Sequence, residues 1–373
     1  MRGYSDENMP VLEKLVISDF RNIGLQEIEF SPNVNCISGN NGEGKTNLLD
    51  AIYYLSMTKS AFATTDKYIL RHGSEELALS GTYLMENGTK SRFSMKVSSK
   101  GEKKVRRDDK MYQKISEHIG ILPVVMVSPA DVSMVSESGE ERRRFVNAVL
   151  SQISREYMAA LQQYNRLLLQ RNRMLKDMHP DRSLLEVIDM RMAAVAAPVH
   201  KARKEFVENL KPIVSEYYKA LSGDSEQVDI KYETELDNMP LDELLAQSYE
   251  KDRILKHTSS GIHRDDFIFT MNSHPIRRYG SQGQQKSFLV SLKFAQYEIM
   301  KNNYGFAPIL LLDDVFDKLD MGRISNLLQM VASNDFGQIF ITDSNKVRMA
   351  GIVDRLTKDR AYFETVSGTF TRQ

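Results

Sequence analysis

Eight consecutive residues, Gly39-Asn40-Asn41-Gly42-Glu43-Gly44-Lys45-Thr46, have the types and spacing needed to hold a chain of phosphates. Glycines let the backbone curl so that several N–H groups face one anion, and a helix starting where the turn ends adds the positive end of its dipole. The pattern G-x-x-x-x-G-K-[ST] sets a lysine, here Lys45, to reach the β and γ phosphates of ATP, and a hydroxyl, here Thr46, to ligate Mg²⁺. Gly39 to Asn47 would form the cradle. Far downstream the apolar run Ile309-Leu310-Leu311-Leu312 ends in Asp313-Asp314. Two acids at the end of a buried strand offer one, Asp313, to the same Mg²⁺ and leave the other, Asp314, as general base for an attacking water. They could instead only cap the next segment, but a phosphate loop on the same chain favours the catalytic reading. A third feature, Ser281-Gln282-Gly283-Gln284-Gln285, precedes a helical pattern with Phe288, Leu292, Ala295 and Ile299 on one face. Alone, a Ser-x-Gly turn before a helix is an N-cap. Its place between the phosphate loop and the acidic strand weighs against the bare cap.

The elements that must position these residues follow from periodicity. Val34 to Ser38 reads as a strand and Asn47 to Ser56 as a helix with Leu48, Ile52 and Leu55 on one face. Before them, Leu12, Leu15, Ile17 and Phe20, then Ile28 and Phe30, read as hairpin material around a turn near Asn22 to Gly24. Leu77 to Lys96 is a further β-rich stretch with turn signals at Gly81 and Asn87-Gly88. The basic run Lys100, Lys103, Lys104, Arg106 and Arg107 reads as a solvated hairpin tip ahead of a DNA contact. From Glu140 to Ala220 the period turns helical, marked by Phe145, Val149, Ile153, Tyr157, Leu161, Tyr164 and Leu168. After a break at Pro180-Asp181 it resumes through Phe206, Leu210, Ile213 and Tyr217. Two or three long helices folding back as an antiparallel arm are expected, without the sustained heptads of a coiled coil. Strand character at Val228 to Glu235, a helix at Leu241 to Leu255, and alternating strands and helices to Ser344 complete an α/β core, doubly wound in its grammar, with a mainly helical insertion. The expected division is residues 1–115 and 256–373 for the core and 116–255 for the insertion.

Composition narrows the class. The chain has 373 residues, 41% hydrophobic and 27% charged, which excludes disordered and fibrous classes. Its 50 basic and 50 acidic residues cancel, so any nucleic-acid binding rests on a local surface rather than on a bulk field. No apolar run approaches the ~20 residues that span a bilayer, and the opening Met1 to Pro10 lacks the apolar centre of a signal peptide. A cytoplasmic protein is expected. The single cysteine, Cys36, has Val34 and Ile37 near it, which suggests an apolar strand, and reads as core. His263 reads as a hydrogen-bonding residue ahead of a metal ligand, because His257 is not at helical ligand spacing. Arg142 to Arg144 open a helix and read as a solvated face in preference to a DNA or inter-subunit contact.

The three motifs in this order resemble the RecF, SMC and transporter ATPase superfamily. The resemblance to the RecF family is more specific. Asp19-Phe20-Arg21-Asn22 is similar to its opening stretch, and Gly42 to Leu49 to its G-x-G-K-T-N-L-L. Val127 to Asp131, Glu141 to Phe145, Gly261 to Asp266 and Ser281 to Gln285 are similar to further family segments. Departures are Asp50 where the family has Glu, Ile262 where it has Pro, and the absence of an arginine after Lys59-Ser60-Ala61-Phe62. Asp343 stands where a transporter head has histidine, and residues 121–131 hold no glutamine. The resemblance implies an α/β fold, a P-loop NTPase with an ABC-type ATPase head and a mainly helical inserted arm lobe. It also implies an ATP-dependent homodimer in which Ser281 and Gly283 meet the nucleotide held by the other copy, with weak, DNA-stimulated ATPase activity. DNA at gaps, with RecR and RecO as partners in loading the RecA recombinase, is the implied setting. An SMC-like chromosome-organising head, or a transporter-type ATPase subunit on a membrane, is the competing reading.

Overall fold

The computed structural model describes residues 10–373 apart from 86, 179, 224–225, 333–335 and 346–358, so the polar opening 1–9 lies outside the described residues. The chain divides into two compact units, one of residues up to 131 with 293–373 and one of 132–292. Both divisions fall later than 115 and 255. The short strand at Val124–Val127 pairs with Ile309–Leu312, and Asp266–Met271 pairs with Val228–Glu233, so each carries its neighbours past the expected break.

The first unit begins with β1 (Val11–Ser18), β2 (Gln26–Glu29), β3 (Val34–Ser38), α1 (Lys45–Met57), β4 (Glu76–Leu84), β5 (Lys90–Ser98), β6 (Lys103–Arg107), β7 (Lys110–Met111) and β8 (Val124–Val127). The second unit holds α2 (Ser133–Ser136), α3 (Gly139–Ile153), α4 (Arg155–Met174), α5 (Arg182–Ser222), β9 (Val228–Glu233), α6 (Leu241–Leu255), β10 (Asp266–Met271), β11 (His274–Pro275) and α7 (Ile276–Tyr279). Helix α8 (Gln282–Tyr304) leads into β12 (Ile309–Leu312), α9 (Met321–Ala332), β13 (Ile339–Asp343), β14 (Arg360–Val366) and β15 (Thr369–Arg372), which complete the first unit.

Two sheets form the first unit. One runs β15-β14-β3-β13-β12-β8, parallel except for the edge strand β15; the other is the antiparallel sheet β2-β1-β4-β5-β6-β7. Helix α1 touches β8 and β13 of the first and β4 and β5 of the second. An antiparallel sheet therefore stands beyond α1 where the doubly wound reading expected a helical layer. The side chain of Gln338, fully buried, ties the unit together: it accepts from Leu12 N and donates to Leu12 O and Ser31 O, each at 2.8 Å. Strand β3 is buried along its whole length, as expected of a parallel strand covered on both faces, and takes Cys36 into the core.

Two readings of the β-rich stretch need correction. Gly81 lies in the middle of β4 and opposite Phe93, not at a turn. A Cβ there would come within 2.6 Å of Leu55 Cδ2 and 2.7 Å of Tyr83 Cε2, so the position answers to close packing. The basic run is mostly strand: Lys103, half-buried, pairs with Asp66 at 2.8 Å and donates to Thr58 O at 2.6 Å, while Lys104 and Arg106 point to solvent.

In the second unit the Tyr157–Arg203 and Arg171–Asp189 bonds join α4 and α5 in opposite chain directions, which is the expected antiparallel pair. The buried stripe of α5 runs through Phe206, Leu210, Val214 and Tyr218, one residue on from Ile213 and Tyr217. The solvated reading of Arg142 to Arg144 holds only for Arg144. Arg142 makes a bidentate pair with Asp266, at 2.8 and 2.9 Å, and Arg143 donates to Asp265 O at 2.7 Å.

Candidate functional site

The parallel sheet gathers the chemistry at the C-terminal ends of three of its strands. β3 leads into the loop Gly39 to Gly44 and then α1; β12 ends at Asp313-Asp314; β13, between them, ends at Thr342-Asp343. Gly42 and Gly44 take φ of 85° and 112°. At Gly44 a Cβ would also lie 2.9 Å from Asn22 Oδ1, so glycine alone fits. Lys45 is 4% exposed, its ammonium donating to Gly39 O at 2.8 Å and Asn40 O at 3.0 Å. It spans the loop from within, while Asn40, Asn41 and Gly42 are exposed on the rim.

Thr46 and Asp313, separated by 267 positions, are in contact: the Thr46 hydroxyl lies 3.0 and 2.9 Å from the two Asp313 oxygens. Thr342 donates its hydroxyl to Asp313 Oδ1 at 2.7 Å and accepts the Asp314 N–H at 3.1 Å, so one side chain sets both acids. Burial pushes the Asp313 carboxyl above the usual carboxylate range, against the pull of the Thr342 and Thr46 hydroxyls. An oxygen-only pair of this kind, with a carboxylate that burial disfavours as an anion, fits a hard divalent cation such as Mg²⁺. Asp314 is half-buried, with φ of 42°.

The loop rests on residues that motif reading did not single out for it. Asn22 accepts from Asn47 Nδ2 at 2.7 Å and lies 3.4 Å from Gly42 O, its amide donating. From the end of β14, Thr365 Oγ1 donates to Glu43 O at 3.1 Å, and from the β14–β15 turn Gly368 N donates to the same oxygen at 2.8 Å and Ser367 N to the Glu43 carboxylate. Asp50, fully buried, receives Arg21 through Nε and Nη2, together with Ser60 Oγ and Ala61 N. The aspartate that departs from the family pattern thus anchors the segment that departs beside it. Asn22 had a signal, its place in the opening stretch; Thr365 and Gly368 had none that spacing could reveal.

In the second unit Ser281 and Gln284 cap each other. Ser281 N donates to Gln284 Oε1 at 2.6 Å and Gln284 N to Ser281 Oγ at 3.2 Å. This reciprocal box holds the start of α8 and leaves Ser281 exposed, with Gly283 half-buried in the first turn.

Residues 11–361 match the family model described as the RecF/RecN/SMC N terminal domain. A DNA replication and repair protein RecF of Parabacteroides distasonis is 44% identical over 96% of this chain and 98% of its own length. The chain belongs to the RecF family. A relative of the same description from Porphyromonas gingivalis is 40% identical, over 96% of this chain and 99% of its own. Among solved structures, the recombination mediator protein RecF-ATP in the RecFOR pathway aligns with a TM-score of 0.89 at 28% identity, covering 100% of this chain and 99% of that one. The Smc head domain from Pyrococcus furiosus, at 16% identity and a TM-score of 0.59, shares the fold alone. An α/β P-loop NTPase of the ABC-type head class carrying a helical arm lobe is thus the architecture of this RecF-family chain, and the SMC-like and transporter readings are not favoured.

The family segment Gly261 to Asp266 is locked inside the second unit. Arg203, 1% exposed, donates to Ile262 O and to Asp265 Oδ2, both at 2.7 Å, and Tyr164 OH shares a 2.7 Å hydrogen bond with His263 Nδ1. The other His263 nitrogen faces Thr258 O at 3.1 Å, so both ring nitrogens are engaged within the protein. Burial lowers its pKa from 6.5 to about 4. The unfolded chain therefore takes up a proton as pH falls below 6.5 while the folded chain stays neutral down to about 4, so stability present above 6.5 is lost progressively across that window. A loss of about 3 kcal/mol between pH 7 and pH 4 is expected from this group. Urea midpoints at the two pH values, compared with those of His263→Gln, measure it; an equal loss in the variant would exclude His263 as the cause.

Proposed function

We propose that this chain binds ATP with Mg²⁺ at Lys45, Thr46 and Asp313, hydrolyses it slowly with Asp314 as base, and uses the bound triphosphate to join two copies head to head on DNA. The contact of the Thr46 hydroxyl with the Asp313 carboxylate is the observation that carries the reading, because it joins the phosphate loop to the acidic strand end as one site. Family membership supports a role in DNA replication and repair and an ATPase in general. The RecF-ATP relative supports ATP as the nucleotide.

In the proposed site the Gly39 to Asn47 loop wraps the phosphates, and Lys45 turns from its own loop carbonyls to the β and γ oxygens. When bound, Mg²⁺ neutralises charge on those oxygens; Thr46 and Asp313 would hold it. Asp314 has one methylene fewer than a glutamate, which leaves the attacking water less closely held and makes turnover slow. Ser281 and Gly283 of one copy complete the site of the other, so that ATP is the switch and hydrolysis the reset. We further assign gapped DNA as the substrate that stimulates hydrolysis, RecR and RecO as partners in loading the RecA recombinase, and the cytoplasm as the location. No helix among the described residues is long and apolar enough to cross a membrane.

Sedimentation tests the shared site. The wild-type chain should associate with ATP and not with ADP, and gapped DNA should shift it further. Ser281→Arg should still bind ATP but associate about 100-fold more weakly, from the lost hydrogen bond and a bulky cation forced against the partner. Association of Ser281→Arg at wild-type affinity would refute the two-copy site.

A further inference from the structure

The box that presents Ser281 is itself held from outside. Beyond its bond to Ser281 N, the Gln284 side chain donates through Nε2 to Glu226 Oε1, and Glu226 Oε2 accepts from the Tyr218 hydroxyl. Tyr218 is fully buried in the last turns of α5, the 41-residue arm helix. Glu226 is fixed by its neighbour: Gln227 N donates to Asn272 Oδ1 at 2.9 Å and Asn272 N returns to Gln227 O at 2.7 Å. The two carboxylate oxygens of Glu226 thus accept from two donors, one on α5 and one in the first turn of α8.

We propose that Glu226 is a positioning residue for Ser281, which fixes the Gln284 side chain and ties the Ser281 to Gln285 turn to the end of the arm helix. Any displacement of the last turn of α5 is then transmitted through Tyr218 and Glu226 to the cap that aims the Ser281 hydroxyl at the nucleotide of a second copy. The idea rests on the two-copy reading above. It adds a link by which whatever engages the arm tunes ATP-dependent association.

Three full-length variants test it. Gln284→Glu keeps the serine cap, since Ser-x-x-Glu forms the same box, but sets a carboxylate against Glu226. ATP-dependent self-association should weaken about 10-fold, roughly the worth of one charged hydrogen bond. Adding Glu226→Gln supplies an amide donor to the introduced carboxylate and should restore association to within about 3-fold of wild type. ADP affinity and the thermal midpoint should stay unchanged in both, which a general loss of folding would not allow. Wild-type association by Gln284→Glu, or failure of the double variant to recover, overturns the proposal. Ser281→Arg, run beside them, separates the two ideas. If it abolishes association while Gln284→Glu does not, the Glu226 link falls and the shared site stands; if neither changes it, both fall.

Discussion

Asp314→Asn, which removes the proposed base, should bind ATP as tightly as the wild-type chain and hydrolyse it at least about 100-fold more slowly, the range for losing general-base catalysis. The substitution is close to isosteric, and the backbone favours it. Asp314 sits at φ of 42°, a left-handed conformation that asparagine tolerates as well as aspartate. Its N–H bond to Thr342 Oγ1 involves only the backbone of residue 314, so the loop should keep its shape. Because Thr342 also holds Asp313, the pairing of Asp313 with Thr46 should persist, and with it nucleotide affinity. Single-turnover hydrolysis and equilibrium ATP binding, measured on the same preparation, separate the two effects. Hydrolysis at the wild-type rate would remove Asp314 from the chemistry; a matching loss of ATP affinity would make it a binding residue instead.

The elements of the candidate site were legible where a motif dictates both residue type and geometry. Gly39 to Thr46 requires a strand before it and a helix after it, and β3 and α1 are those elements. Four consecutive apolar residues ending in acids require a strand buried on both faces, and β12 is buried throughout. What could not be read were interactions between residues far apart in the chain. Arg142 and Arg143 look like a solvated pair until Asp265 and Asp266, over 120 positions on, close around them. Lys103 looks like part of a hairpin tip until Asp66 receives it. The antiparallel sheet beyond α1 has the same logic, for alternation along β4 and β5 predicts strands with one buried face but does not say which helix that face meets. Periodicity announced α5 yet missed its buried stripe by one residue, since Ile213 and Val214, like Tyr217 and Tyr218, are adjacent residues of similar hydrophobicity.

Arg203→Met should destabilise the arm lobe by about 3–5 kcal/mol, the cost of leaving a buried charge without its partner. Arg203 and Asp265 are each 1% exposed and 2.7 Å apart. The remaining guanidinium bonds go to Ile262 O, Tyr157 OH and Asn147 Oδ1, so this one side chain joins α3, α4 and the loop before β10 to α5. Burial works against its charge, but the oxygens of Tyr157, Tyr232 and Asp265 outweigh it and hold the guanidinium more firmly protonated than in water. Methionine fills much of the volume and offers no donor, which isolates the electrostatic loss from a cavity. The decisive comparison is with Arg203→Met combined with Asp265→Asn. Removing the orphaned charge should return roughly half of the loss, because the Tyr232 hydroxyl can still donate to the amide oxygen. The chain has no tryptophan, so urea unfolding followed by helical circular dichroism is the suitable readout. A single variant within 1 kcal/mol of wild type would mean that water reaches Asp265 and that the segment Gly261 to Asp266 is held by His263 and Arg142 instead.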